Sequence, residues 1–226
     1  MKEVLQFIRS KNPVPVIIIY YGVGLIGMII PYTRELFKWL TPFSLLLSIF
    51  LLYLYHDWFS IRFWITSLLV LSLGFILEAA GVETGVIFGE YRYGDTLGPE
   101  LFHTPLLIGV NWLMLVYCSL YIARKFIETP YFRAIVAAAM MVVYDFALEP
   151  AAVYLDMWSW AGGAIPLQNY LAWFIIAFLL NYLADYLRLP ARKNKVALGL
   201  FFVQLVFFIL LDLWIFAGKI WDFSSQ

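Results

Sequence analysis

Seven stretches of mainly apolar residues follow one another along the chain, at about 14–30, 36–55, 63–80, 104–123, 132–154, 167–187 and 196–217. Each is close to the ~20 residues that an α-helix needs to cross the hydrocarbon core of a bilayer. Short polar or basic segments separate them. The pattern predicts an all-α, polytopic membrane helical bundle of about seven transmembrane helices, forming a single integral membrane domain over residues 1–226. The first run has the length of a signal-peptide core. Pro31, Tyr32 and Thr33 follow it rather than a small-residue cleavage site, so it reads as the first span. Pro42 lies near the start of the second span, and His56 and Asp57 end it.

Lys and Arg set the orientation. With seven spans, the amino terminus and the loops after spans two, four and six share one side. That side carries Lys2, Arg9, Lys11, Arg62, Arg124, Lys125, Arg133, Arg188, Arg192, Lys193 and Lys195. Only Arg34, Lys38, Arg92 and Lys219 fall on the other. The positive-inside rule then predicts a cytoplasmic amino terminus in a cytoplasmic (inner) membrane.

Composition supports the same solvent. Hydrophobic residues make up 64% of the chain and charged residues 13%, and the mean hydropathy is +0.86. A soluble domain is nearer one half apolar and one quarter charged. The formal net charge is zero, so no basic field points to nucleic acid. The single Cys118 lies in an apolar run and excludes an intramolecular disulfide.

The polar residues inside this apolar background carry the candidate chemistry. Span three ends in Glu78, with Glu83 just beyond. A turn with Gly81, Thr84, Gly85 and Gly89 follows and closes on Tyr91 and Tyr93. Asn111 falls about two turns into span four. Asp145 and Glu149 share one face of span five by their i, i+4 spacing. Pro150 removes a helical hydrogen bond there. Asn169 opens span six, and Trp112, Trp158, Trp160 and Trp173 lie at similar depth. Acids and amides from four spans thus occupy one layer, on the side away from the basic loops. Taken singly, the amides read as helix-joining groups and Trp158 and Trp160 as interfacial anchors. Asp185 belongs to the basic end, paired with Arg188 or a neighbour, and Asp212 is a weaker member of the polar layer.

A carboxyl group in apolar surroundings resists ionisation, and two of them one turn apart cannot easily both ionise. Such a group can protonate a weak base such as an alkene, and aromatic faces can stabilise the cation that forms. His56 and His103 do not have metal-ligand spacing, and a His-box oxygenase would need several more histidines. No span carries an interior lysine for a retinal Schiff base. GxSxG, P-loop and CxxC motifs are absent from the sequence.

The motif E-x-x-G-x-x-x-G-x-x-F-G-x-Y-x-Y (Glu78, Gly81, Gly85, Phe88, Gly89, Tyr91, Tyr93) resembles the membrane carotenoid-biosynthesis hydratases, of the gamma-carotene 1'-hydroxylase and bisanhydrobacterioruberin hydratase type. So do Asn111-Trp112, Asp145-x-x-x-Glu149-Pro150, and Trp158-x-Trp160 leading to Gly162, Pro166, Asn169 and Trp173. The likeness covers about residues 60–215. It implies cofactor-free, metal-free addition of water to the terminal 1,2 double bond of an acyclic ψ end group. The product is a tertiary 1-hydroxy carotenoid, and the partners are a carotenoid substrate and the lipid bilayer. The expected catalytic set is Asp145, Glu149, Glu78 and Asn111, with Asp145 as proton donor and Glu149 or Glu78 holding water. The expected substrate contacts are Glu83, Tyr91, Tyr93, Trp112, Trp160, Asn169 and Trp173. An apolar cavity open to the bilayer should end at the acids, capped by the two tyrosines. A membrane lycopene cyclase and a non-enzymatic transporter or carotenoid-binding protein are the competing readings. A cyclase must keep water from the cation, whereas a hydratase must deliver it.

Overall fold

The computed structural model describes residues 10–189 and 193–224, with side chains followed as far as Gly218. Of the basic residues in the charge asymmetry, Lys2, Arg9, Arg192 and the Lys219 side chain lie outside this description. Among the described residues there are seven α-helices: α1 (Val14–Ile29), α2 (Pro31–Leu54), α3 (Ile61–Thr84), α4 (Leu107–Ala123), α5 (Pro130–Tyr154), α6 (Leu167–Tyr186) and α7 (Lys195–Ser224). Five of them are long and apolar enough to cross a membrane. The exceptions are α1 and α4, at 16 and 17 residues. The protein is a helical membrane bundle.

α4 is the hub. It packs against α2, α3, α5, α6 and α7, and all but three of its residues are buried. A helix apolar all round and enclosed by others needs no lipid-facing stripe. The outer helices show the inverse of a soluble pattern, with Ile18, Val23, Leu68, Ile76, Leu171 and Leu179 among many exposed apolar side chains. These face hydrocarbon rather than water.

Helix ends differ from the sequence expectation in several places. α2 begins at Pro31, not near residue 36, so a single residue, Ile30, joins it to α1. Proline suits a first helical position because its missing N–H costs nothing there. The carbonyls at the end of α1 are satisfied from the first turn of α2. Thr33 Oγ1 donates to the Gly27 carbonyl at 2.8 Å and Arg34 Nε to that of Met28 at 3.0 Å. α3 starts with a Ser60 cap on the Phe63 N–H, at 3.1 Å. It runs to Thr84, so Glu83 is helical rather than beyond the span, and Gly85 ends it in the left-handed region, with φ of 66°. α4 starts at Leu107, about a turn later than expected. α5 continues through Pro150 to Tyr154.

The loops between α3 and α4 and between α5 and α6 contain short strands that the all-helical reading omits. β1 (Tyr91–Tyr93) pairs antiparallel with β4 (Trp158–Trp160), in the register Tyr91–Trp160, Arg92–Ser159 and Tyr93–Trp158. The Ala161 N–H bonds to the Glu90 carbonyl at one end and the Gly94 N–H to that of Met157 at the other. A short hairpin pairs β2 (Glu100–Leu101) with β3 (Thr104–Pro105).

Candidate active site

The β1–β4 ribbon decides where the acids meet their partners. Successive strand residues point to opposite faces. Tyr91 and Tyr93 therefore share one face with Trp158 and Trp160, and all four point to the helices. Tyr91 Oη donates to Glu78 Oε2 at 2.5 Å and Tyr93 Oη to the same oxygen at 3.1 Å. From α4, Trp112 Nε1 donates to Glu78 Oε1 at 2.9 Å. Trp158 Nε1 and Trp160 Nε1 both donate to Glu149 Oε2, at 3.0 and 2.9 Å. Asn169 Nδ2 bridges the two acids of α5, reaching Asp145 Oδ2 at 2.9 Å and Glu149 Oε1 at 3.4 Å. Asp145 Oδ1 is buried with no hydrogen-bond partner.

Three carboxyl groups are thus held by neutral donors, with no Lys or Arg partner among the described residues. Hydroxyl, indole and amide donors stabilise the carboxylate form less than a Lys or Arg partner would. The two phenols stay protonated. Burial, then the neighbouring Glu78 carboxyl, pushes Tyr91 and Tyr93 far above the usual tyrosine range. Both therefore remain donors at any working pH.

The acids surround a small chamber of about 30 Å³, whose walls include Glu78, Asn111, Asp145, Glu149, Asn169 and Trp173. That is room for a water molecule. Trp173 stacks on Trp112, with ring centroids 4.3 Å apart. A larger, mainly apolar cavity of about 200 Å³ lies alongside, between α1, α2, α4, α5 and α7. Ile108, Asn111, Leu148 and Trp158 line both spaces and form the wall between them. The larger cavity also reaches Tyr20 and Val23, which are exposed on the outer face of α1.

Of the residues singled out in the sequence, the fold brings together Glu78, Asn111, Asp145, Glu149, Tyr91, Tyr93, Trp112, Trp160, Asn169 and Trp173. It sets Glu83 apart. Glu83 Oε1 pairs at 2.7 Å with His103 at the exposed surface. Asp212 is buried but lines neither cavity. Asp185 pairs with Arg124 and Arg133 at 2.6 and 2.8 Å rather than with the Arg188 side chain. Trp158 and Trp160 are buried ligands of Glu149, not interfacial anchors. Trp158, Phe88, Ile108 and Leu148 are wall residues that motif reading left out of the site. For Trp158 a signal existed: W-x-W has the same period of two as Y-x-Y.

Residues 40–222 match the family described as carotenoid biosynthesis protein. The chain belongs to that family. It is also similar to the bisanhydrobacterioruberin hydratase of Haloarcula japonica, at 28% identity over 123 residues. That match takes in 49% of this chain and only 40% of the relative's length. No solved structure matches it. The family match spans the ribbon, the three acids and the wall between the two cavities.

Proposed function

We propose that this protein is a carotenoid 1,2-hydratase, acting on an acyclic ψ end group without a cofactor. One observation carries the reading: a water-sized chamber ringed by Glu78, Asp145 and Glu149 shares a wall with an apolar cavity that reaches the lipid-facing side. The polyene lies in the apolar cavity and the adjoining bilayer, and its isopropylidene end meets the chamber at Asn111. Asp145 gives its proton to C2 of the terminal double bond, which forms a C–H bond and leaves a tertiary cation at C1. The faces of nearby indoles and phenols stabilise that charge. Water held by Glu149 or Glu78 attacks C1, and its proton passes to a carboxylate. The atoms of one water are added, and the proton count of the three acids is restored.

A cyclase begins with the same protonation but needs a chamber free of water. The amides Asn111 and Asn169 beside the acids favour water delivery. Expression in lycopene-producing cells followed by mass analysis of the pigments tests the assignment. A gain of one water mass per reacted end is expected. An unchanged mass with a shortened chromophore would mean cyclisation, and an unaltered pigment would point to a carrier or transporter.

A further inference from the structure

At the opposite end of the bundle, α3 begins, α4 and α6 end and α5 begins around a large cleft of about 1170 Å³. Glu78 lies seventeen positions along α3 from its first residue, Ile61, roughly 25 Å along the helix axis. The cleft is remote from the acids. Four arginines line it, Arg62, Arg124, Arg133 and Arg188, against Asp57 and Asp185.

The charges do not balance locally. Asp185 is nearly buried, and both Arg124 and Arg133 close on it, with side chains only 23% and 19% exposed. One carboxylate thus pairs with both guanidinium groups. Burial lowers the Arg124 guanidinium's hold on its proton. Asp185 opposes this, and the like charges of Arg133 and Arg188 add to it. Arg62 and Arg188 form no salt bridge among the described residues. Asp57 is turned to the Lys193 backbone N–H, at 3.3 Å. Arg62 and Arg188 are exposed and have no carboxylate partner among the described residues, so an anion entering the cleft meets positive charge on several sides. Planar guanidinium groups suit phosphate oxygens in paired hydrogen bonds. The rim carries Trp58, Tyr182 and Tyr186, all exposed, the side chains that settle at a bilayer's headgroup level.

We propose that this arginine cleft binds the phosphate headgroup of an anionic phospholipid, with its acyl chains lying along the apolar outer faces of α3 and α6. Free inorganic phosphate offers the same oxygens but nothing for the aromatic rim or the apolar flanks.

The test uses the full chain purified in a zwitterionic detergent. Lipid retained by the wild-type protein is measured by native mass spectrometry, after exposure to equal amounts of phosphatidylglycerol and phosphatidylcholine. Thermal stabilisation is then titrated with short-chain phosphatidylglycerol and, separately, with inorganic phosphate. Preferential retention of phosphatidylglycerol is expected, with stabilisation by that lipid and not by phosphate at the same concentration. Arg62→Gln and Arg188→Gln should each weaken the response about tenfold, the loss of roughly one charge-assisted hydrogen bond. Equal retention of the two lipids, or a double variant that responds like wild type, overturns the proposal. Stabilisation by phosphate alone would assign the cleft to a free anion instead. The wild-type arm decides the matter even if the variants fold poorly.

Discussion

Glu149 Oε2 accepts two indole N–H groups from one strand, while Asp145 shares a single amide with it through Asn169. That difference separates their expected roles. Glu149 is fixed by three donors. Asp145 keeps one oxygen without a partner, the atom best placed to exchange a proton with substrate. Asp145→Asn preserves shape and can still accept from Asn169, so the protein should fold normally. Pigment conversion should fall ~10²–10⁴-fold, the usual cost of losing a positioned acid. Near-normal conversion would remove Asp145 from the donor role. Trp158→Phe and Trp160→Phe should each be mild, because the other indole still serves Glu149. Together they strip Oε2 of both donors, and conversion should then fall by more than the product of the two single losses. At the surface, His103 bonds to Glu83, and this contact raises the histidine's pKa. Its small contribution is full below the unfolded value of about 6.5 and fades as pH rises through the folded value. Glu83→Gln should move the His103 titration, followed by NMR, to lower pH without altering pigment conversion.

The β1–β4 ribbon is the element on which the site depends. It carries four of the donors to the acids, and two turns pin it. Thr96 Oγ1 donates to the Leu155 carbonyl at 2.8 Å, and Gly94 lies directly against the backbone of Asp156. A methyl group at position 94 would collide with the Asp156 carbonyl oxygen, which cannot yield as a flexible side chain can. Gly94→Ala should therefore lift one end of the ribbon. Helical content by circular dichroism should stay near wild type while pigment conversion is lost. Between helices, Gly109 lets α4 approach α3, and a Cβ there would lie 2.7 Å from the Leu71 carbonyl oxygen. Gly109→Ala should destabilise the bundle by about 1–3 kcal/mol, the range for overpacking, as read by thermal unfolding in detergent.

Over the whole molecule, the two ends of the bundle have opposite electrostatic character. Acids paired with neutral donors occupy one end, and arginines in excess of their carboxylates the other. Under the positive-inside rule the charge asymmetry predicts that the arginine end faces the cytoplasm and the acid chamber the outer leaflet. Introduced cysteines offer a direct check. A thiol at Ser60, in the loop before α3, should resist a membrane-impermeant reagent in intact cells, whereas one at Glu100, in the β2–β3 hairpin, should react. The reverse labelling would invert the orientation.

The number and approximate extent of the helices were legible in the sequence. Burying backbone in lipid demands helices, and apolar runs of about twenty residues leave few other choices. The clustering of Glu78, Asn111, Asp145, Glu149 and Asn169 at one end was legible too, because helical depth follows from counting residues. Which donor answers which acid was not. Y-x-Y and W-x-W are 65 residues apart, and each alone fits an interfacial aromatic belt. Only their pairing across the chain turns both toward the helices and makes them ligands of Glu78 and Glu149. Glu83 illustrates the opposite case: five residues beyond Glu78 it falls on another face of α3, and its side chain leaves the site for the surface. Residue type and depth set which groups could take part. The cross-chain register of three strand residues and the rotation of each helix about its own axis decided which of them met.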